Sequence, residues 1–316
     1  MKKIRTISVL GPTASGKTGL AIELAKRYDG EVVSCDSMQL YRDMNIGTAT
    51  PTVEERDGIP HHMFDVIGPE EEFSAADYAR LASACIEDIA SRGKLPILCG
   101  GTGLYYDALM RVSGFLEGER NEELRAQLYR IAETDGNEAL HARLRAVDPE
   151  AADAIHPNNV KRVVRAIEIY ETTGRTKTET DKTQTSGEIP YDDTAFILTF
   201  ADRALLYERI ERRVDLMMKD GLENEARALY ADGRMISPTA AQAIGYKEFL
   251  PYFRGEATLD ETAAAIKLAT RHYAKRQMIW FRRYTGKIIL TPDDGEGHMK
   301  PTAALADEAA ERIEGN

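Results

Sequence analysis

Cysteine, tryptophan and long apolar runs are scarce in this chain of 316 residues, and each scarcity narrows the field. The three cysteines, Cys35, Cys85 and Cys99, stand far apart and form no Cys-x-x-Cys pair, so neither a disulfide framework nor a thiolate zinc site is indicated. A reducing compartment suits them. No apolar stretch approaches the roughly 20 residues that span a bilayer, and MKKIRTISVL runs directly into a strand-like segment without a cleavage pattern. We therefore expect a cytoplasmic chain that engages no membrane, and a monomer. Positive charge is short as well: 41 Lys and Arg stand against 52 Asp and Glu, and the net −11 argues on its face against a polyanionic partner. Totals hide distribution, however.

What is present, and early, is a phosphate-binding template. Gly11, Pro12, Thr13, Ala14, Ser15, Gly16, Lys17 and Thr18 fit G-x-x-x-x-G-K-[ST], between the apolar run Ile4 to Leu10 and the helical pattern Gly19 to Arg27. The two glycines permit a loop whose N–H groups turn inward, the helix N-terminus adds partial positive charge and Lys17 adds a full one. Thr18 offers a hydroxyl to Mg2+. An ordinary glycine turn would not need the strand before it and the helix after it.

Apolar runs ending at Gly11, Asp36 and Gly100, with helical segments Thr18 to Tyr28 and Ser74 to Arg92 between them, read as alternating strands and helices. The expected fold is α/β: a P-loop NTPase-like parallel sheet core with a helical insertion domain. Core segments are expected at 1–113 and 191–291, the insertion at 114–190, and an acidic tail at 292–316. Within the insertion, Glu122 to Ala132, Glu138 to Val147 and Asn159 to Tyr170 read as helices, and Thr172 to Gly187 as a mobile loop rich in Thr, Lys and Glu. Ala195 to Phe200 and Ile288 to Leu290 complete the strands, and Asp202 caps a long helix.

Ligands of such sheets bind outside the carboxyl ends of the strands, where three motifs converge. The phosphate loop follows the first strand, Asp36 in CDSMQ ends the second, and Thr102 in CGGTGLY lies just past the third. A carboxylate facing phosphate is unfavourable unless it serves a metal or a proton transfer, so a chemical role for Asp36 is favoured over a turn cap. Gly100, Gly101 and Gly103 let backbone approach a ligand with the Thr102 hydroxyl as donor; a tight turn alone would also explain them. His61 and His62 point to opposite sides of an extended chain without a third ligand nearby, so local hydrogen bonding is favoured over metal binding. Met217 and Met218 continue the Leu206, Ile210, Val214 stripe and read as core.

At this point the residues carry a resemblance. GPTASGKT, DSMQLYRDMNIGTATP, GIPHHMFD, GGTGLYYDAL, HPNNVKRVVRAIEIYETTG, ADRALLYERIERRVDLMMKDGL, QAIGYKE and TRHYAKRQMIWFRR, in that order from residue 11 to 283, resemble the tRNA dimethylallyltransferases, also called tRNA isopentenyltransferases. The resemblance implies transfer of a dimethylallyl group from dimethylallyl diphosphate to the exocyclic amine of the adenosine 3′ of the anticodon (position 37), with Mg2+ and release of diphosphate. It places Asp36 at the family's base and Thr102 near the reacting groups. Segments matching Asp36, Ser37, Met38 and Gln39, Lys161, Arg162, Val163, Val164 and Arg165, and Gln242, Ala243, Ile244, Gly245, Tyr246 and Lys247 contact tRNA in the family, as does the position matching Arg125. Arg203 shares a helical face with Leu206 and Ile210; an inward arginine at a helix start suggests a diphosphate partner, the alternative being a stem that merely snorkels.

The positive surface that an anticodon stem-loop requires has a candidate. Between Arg271 and Lys287 stand six cations, including Lys275, Arg276, Arg282 and Arg283, with no acid, and Tyr273, Trp280, Phe281 and Tyr284 are interleaved among them. The alternative is a solvated basic helix. The target base must leave its stack to reach the crevice. A small-molecule P-loop kinase would not need this stretch or the insertion, an adenylate isopentenyltransferase acting on free nucleotide would not need RNA-binding surface, and a non-enzymatic RNA-binding module leaves the phosphate loop unexplained.

Overall fold

Strands that return through crossover helices must run parallel, and a parallel sheet is covered on both faces, so its strands read as continuous apolar runs rather than alternations. The chain follows this rule. The computed structural model describes residues 3–110, 121–185, 191–231 and 235–315. Strands β1 (Ile4–Leu10), β2 (Gly30–Ser34), β3 (His61–His62), β4 (Leu95–Gly100), β5 (Tyr191–Leu198) and β6 (Ile288–Leu290) form one sheet in the order β3-β2-β4-β1-β5-β6, parallel throughout. Ile7 sits level with Ile97 on one side and Thr194 on the other. The expected start of β5 at Ala195 is too late. Asp193 is tolerated inside the strand because it accepts from Thr6 Oγ1 at 2.9 Å, Ser8 Oγ at 2.8 Å and the Tyr106 hydroxyl at 2.7 Å.

The helices in chain order are α1 (Lys17–Arg27), α2 (Ala75–Ser91), α3 (Gly103–Met110), α4 (Glu122–Thr134), α5 (Asn137–Val147), α6 (Pro149–Ala154), α7 (Val160–Thr173), α8 (Lys177–Thr185), α9 (Arg203–Lys219), α10 (Leu222–Leu229), α11 (Leu250–Phe253), α12 (Leu259–Phe281) and α13 (Thr302–Glu314). They divide between two units, Met1–Leu109 with Tyr191–Asn316, and Met110–Pro190. The expected boundary at 113/114 lies outside the described residues. In the first unit Ile7, Val9, Leu20, Leu24, Ile97, Phe196 and Leu198 form the main core. Leu305, Ala306, Ala309 and Ile313 of α13 belong to the same cluster, so the acidic tail is a core element with one apolar face.

The second unit has its own core, in which Leu128, Leu140, Leu144, Val163, Val164 and Ile167 are buried. The mobile loop expected over Thr172 to Gly187 is corrected by α8. The Thr176 hydroxyl accepts from the Glu179 N–H at 3.1 Å, Glu179 Oε2 accepts from the Thr176 N–H at 2.8 Å, and Asp148 Oδ2 accepts from the Thr178 N–H at 2.9 Å. That reciprocal cap and a tertiary partner outweigh the poor helix propensity of a Thr-rich segment. Gly187 lies outside the described residues.

β3 accounts for the histidine pair. His61 Nδ1 lies 2.8 Å from the Ile59 carbonyl, and His62 Nε2 lies 2.7 Å from Glu31 Oε2. Arg92 grips both oxygens of the same buried carboxylate, and that guanidinium holds Glu31 down to about 2 despite its burial. No cluster of three or more metal-ligating His, Cys, Asp or Glu occurs among the described residues.

Candidate active site

The loop after β1 needs unusual backbone, and its sequence supplies it. Gly11 has φ 149°, Gly16 has φ 90°, and Ala14 is itself left-handed at φ 62°. A side chain at Gly11 would meet Leu198 at 3.0 to 3.1 Å. Gly16 caps α1, so Lys17 and Thr18 open the helix and both line a cavity of about 390 Å³. The Lys17 ammonium donates to the Pro12 carbonyl at 2.6 Å, and burial pushes its pKa down to about 8, with Arg213 adding to the fall and Cys99 and Asp36 opposing it. Neighbouring helices hold the loop from outside. Arg209 Nε donates to the Ala14 carbonyl at 2.9 Å, and Gln277 Oε1 accepts from the Thr13 N–H at 2.8 Å. The Ser15 hydroxyl is buried without a hydrogen-bond partner among the described residues.

Asp36 follows β2 and lines the same cavity. Its Oδ1 accepts from the Met38 N–H at 2.9 Å, so it caps its own turn while facing the phosphate loop. Burial raises its pKa above the usual carboxylate range, opposed by that N–H, by Lys17 and by the Gln39 backbone. Thr102 is a brace. Its hydroxyl accepts from the Ser37 N–H at 3.0 Å, its N–H donates to the Cys35 carbonyl at 3.1 Å, and it is absent from the cavity lining. The glycines of this turn have a packing reason. A Cβ at Gly100 would lie 2.0 Å from the Cys35 carbonyl, one at Gly101 2.1 Å from the Gln277 amide, and one at Gly103 2.1 Å from the Trp280 ring. All three are required by close packing within the protein, and Gly100 also lines the cavity.

Arg203 is also corrected. Its angular position matched the buried stripe, but it is the first residue of α9 and it is exposed. Ten residues on, Arg213 lines the cavity with Lys17, and burial and the adjacent Arg209 lower its pKa, opposed by Glu55. No ion pair to Arg213 occurs among the described residues. The missed signal was the pair Arg209 and Arg213, four apart beside Leu206 and Ile210, which pack with Ala14 and Ala274, and beside Val214. Met217, Val214, Ile244 and Ile266 add an apolar wall to the cavity, and Tyr273 presents its phenol there. Met218 is half-buried.

Of the remaining candidates in this unit, Ser37, Met38, Gln39, Gln242, Ala243, Ile244, Gly245 and Lys247 line the cavity. Tyr246 does not, being 0% exposed with its hydroxyl on Glu225. The basic stretch is partly neutralised: Arg271 pairs with Glu211, Arg283 with Asp107 at 2.7 Å, and Lys287 lies 3.8 Å from Asp193. Its aromatics are mostly occupied as well. Phe281 is buried, Trp280 packs on Gly103 beneath the Arg283 guanidinium at 3.7 Å, and Tyr284 donates to Asp107. Lys275, Arg276 and Arg282 are exposed, and Arg276 reaches the cavity rim beside Tyr273.

In the second unit Val163 and Val164, at 0% and 1% exposure, are core residues on the inner face of α7 and are unavailable to RNA. Lys161 and Arg162 are exposed on the same helix. Arg125 binds both oxygens of the buried Glu168 at 2.8 and 2.9 Å, and Arg165 shares that carboxylate at 2.6 Å.

A phosphate loop after the first strand of a six-stranded parallel sheet, with cations and a carboxylate around one cavity, defines a P-loop-type α/β protein. Comparison with known proteins narrows this class. The sequence model of the IPP transferase family matches residues 39–284, and the chain belongs to that family. It is similar to the tRNA dimethylallyltransferase of Caldanaerobacter subterraneus subsp. tengcongensis, with 48% identity over 282 residues, 89% of this chain and 90% of the relative. It is 47% identical to that of Bacillus pumilus over 89% of this chain and 88% of the relative. Among solved structures it resembles a tRNA delta(2)-isopentenylpyrophosphate transferase of Staphylococcus epidermidis, 40% identical, TM-score 0.71, covering 99% of this chain and 100% of that one. It also resembles a eukaryotic dimethylallyltransferase acting on tRNA, 31% identical, TM-score 0.83, covering 99% of this chain and 80% of that one.

Proposed function

We propose that the protein transfers a dimethylallyl group from dimethylallyl diphosphate to the exocyclic amine of the tRNA adenosine 3′ of the anticodon, releasing diphosphate. Prenylation of tRNA follows from family membership. The observation that supports the donor is a single cavity in which Lys17 and Arg213, neither in an ion pair among the described residues, stand beside Asp36 and an apolar wall. Two half-buried cations that share one cavity suit a diphosphate, and Val214, Met217 and Ile266 suit a short hydrocarbon.

In this reading the amine nitrogen forms a bond to the first carbon of the dimethylallyl group as that carbon's bond to oxygen breaks. The bonding electrons leave with diphosphate, toward Lys17, Arg213 and the N-terminus of α1. The amine proton passes to Asp36, whose raised pKa makes it the stronger base. Thr102 acts through the Ser37 backbone by holding the Asp36 turn. The donor set fits Mg2+, which takes oxygen ligands and relies on substrate phosphates rather than a full protein cage; Thr18 supplies a hydroxyl at the cavity. When bound, Mg2+ would neutralise charge on the leaving group. Exposed Lys275, Arg276, Arg282, Lys161 and Arg162 are the cations proposed for tRNA contact, and a tRNA substrate implies a cytoplasmic chain.

The test sets labelled dimethylallyl diphosphate against γ-labelled ATP, with unmodified tRNA and with free adenylate as acceptors. Label is expected on tRNA from the prenyl donor without ATP. Transfer of γ-phosphate alone would restore the kinase reading, and transfer to adenylate alone the free-nucleotide reading.

A further inference from the structure

Two segments of the cavity wall, 47–49 and 242–247, are joined by a residue that lies outside the cavity. Glu225 on α10 accepts from the N–H groups of Asn45 and Ile46 through Oε2, both at 2.9 Å, and from that of Gly47 through Oε1 at 2.9 Å. Three consecutive amides converging on one anion is the arrangement that elsewhere captures phosphate. Here the protein fills it with its own carboxylate. The fourth partner is the Tyr246 hydroxyl at 2.5 Å from Oε1. The Tyr246 ring lies so close to Gly47 that a Cβ there would be 2.5 Å from it, so the two segments are locked by contact as well as by hydrogen bonds.

The restraint continues inward. The carbonyls of Thr48 and Ala49 accept from Gln39 Nε2 at 3.4 and 3.3 Å, and Gln39 Oε1 accepts from the Ser34 hydroxyl at 2.8 Å. The Gln39 N–H in turn reaches Asp36. Glu225 therefore sits at one end of a chain of hydrogen bonds whose other end is the carboxylate proposed as the base. None of these contacts involves the phosphate loop, which is held separately by Arg209 and Gln277.

We propose that Glu225 is a positioning residue for the acceptor side of the site. It fixes the 47–49 and 242–247 walls and, through Gln39, the Asp36 turn, while leaving the diphosphate side untouched. This rests on the proposed prenyl transfer to tRNA. Glu225→Gln is the sharpest variant, because it keeps the size and replaces one accepting oxygen by a donor facing N–H groups.

In full-length protein with unmodified tRNA, Glu225→Gln should lower kcat/KM for tRNA about tenfold or more, with the dissociation constant of dimethylallyl thiodiphosphate changed less than about twofold. Hydrogen exchange of the 45–47 amides should accelerate about tenfold or more. Unchanged transfer, or donor binding lost in the same proportion as transfer, would overturn the assignment. Should Glu225→Gln fail to fold, Tyr246→Phe, which removes only one hydroxyl, decides the matter: a loss of a few-fold confined to the tRNA side supports it, and no change overturns it. Absence of transfer by the wild type would sink the tRNA reading alone, and the exchange comparison would still score Glu225.

Discussion

Lys17 is an ammonium in a place that disfavours its charge, and the sign of that effect gives a measurable coupling. With its folded pKa lowered from 10.5 to about 8, the protonated form is penalised at all lower pH, and the penalty is relieved as pH rises from 8 toward 10.5. An arriving diphosphate reverses the preference and restores the proton. Donor binding should therefore take up a proton above pH 8, seen as a binding enthalpy that depends on the buffer at pH 9 and not at pH 7, with affinity falling by up to about tenfold per pH unit. Diphosphate is already fully ionised there, and a buffer-independent enthalpy at pH 9 would remove Lys17 from the donor pocket. Arg213→Ala should weaken the donor about 10- to 100-fold, whereas Arg203→Ala, at an exposed position, should leave it within about twofold. Asp36→Asn retains an oxygen for the Met38 N–H, so the turn survives while the base is lost. Single-turnover transfer should slow by about 10²- to 10⁴-fold with both substrates still bound, and an unchanged rate would reduce Asp36 to a turn cap.

At the scale of elements, α13 shows how an acidic segment can be structural. Leu305, Ala309 and Ile313 recur every four residues and enter the main core against α1, while the acids face solvent. Leu305→Ala should cost about 2 to 4 kcal/mol in urea unfolding, with donor affinity under native conditions unchanged; a loss below about 0.5 kcal/mol would mean that the helix is not part of the cooperative unit. That four-residue spacing was in the sequence and was obscured by net charge. Strands β1, β2 and β4 and the phosphate loop were legible because local pattern and tertiary role agree there. The start of β5 was not, since Asp193 is acceptable only with Thr6, Ser8 and Tyr106 around it, and α8 was not, since its support from Asp148 is tertiary. The arginines illustrate the same limit in the site. Helical period gives the angle of Arg203 on α9 but not which of its positions other elements cover, and that cover is what separates exposed Arg203 from half-buried Arg213.

For the whole molecule the question is how a chain of net charge −11 holds a polyanion. Screening at physiological ionic strength acts within about 8 Å, so distant acids repel RNA weakly while cations in contact act fully. Only cations without a carboxylate release counterions on binding, and pairing separates the basic stretch into two kinds. Lys275 and Arg282 are exposed, whereas Arg283 is held by Asp107 with Trp280 beneath it, and Arg271 by Glu211. Lys275→Ala with Arg282→Ala should therefore flatten the dependence of log affinity for tRNA on log salt by about 1.4 to 1.8, near 0.7 to 0.9 for each phosphate contact removed. Arg283→Met with Asp107→Asn removes a cation and an anion together and leaves the Tyr284 hydroxyl an acceptor, so its slope should match the wild type within about 0.3. Salt titrations of tRNA binding by the two double variants decide between a wall of six equivalent charges and a surface in which ion pairing selects which cations meet the RNA. Equal flattening in both would mean that the Asp107 pair opens when tRNA binds, and no flattening in either would make the stretch a solvated helix and move the RNA contact elsewhere.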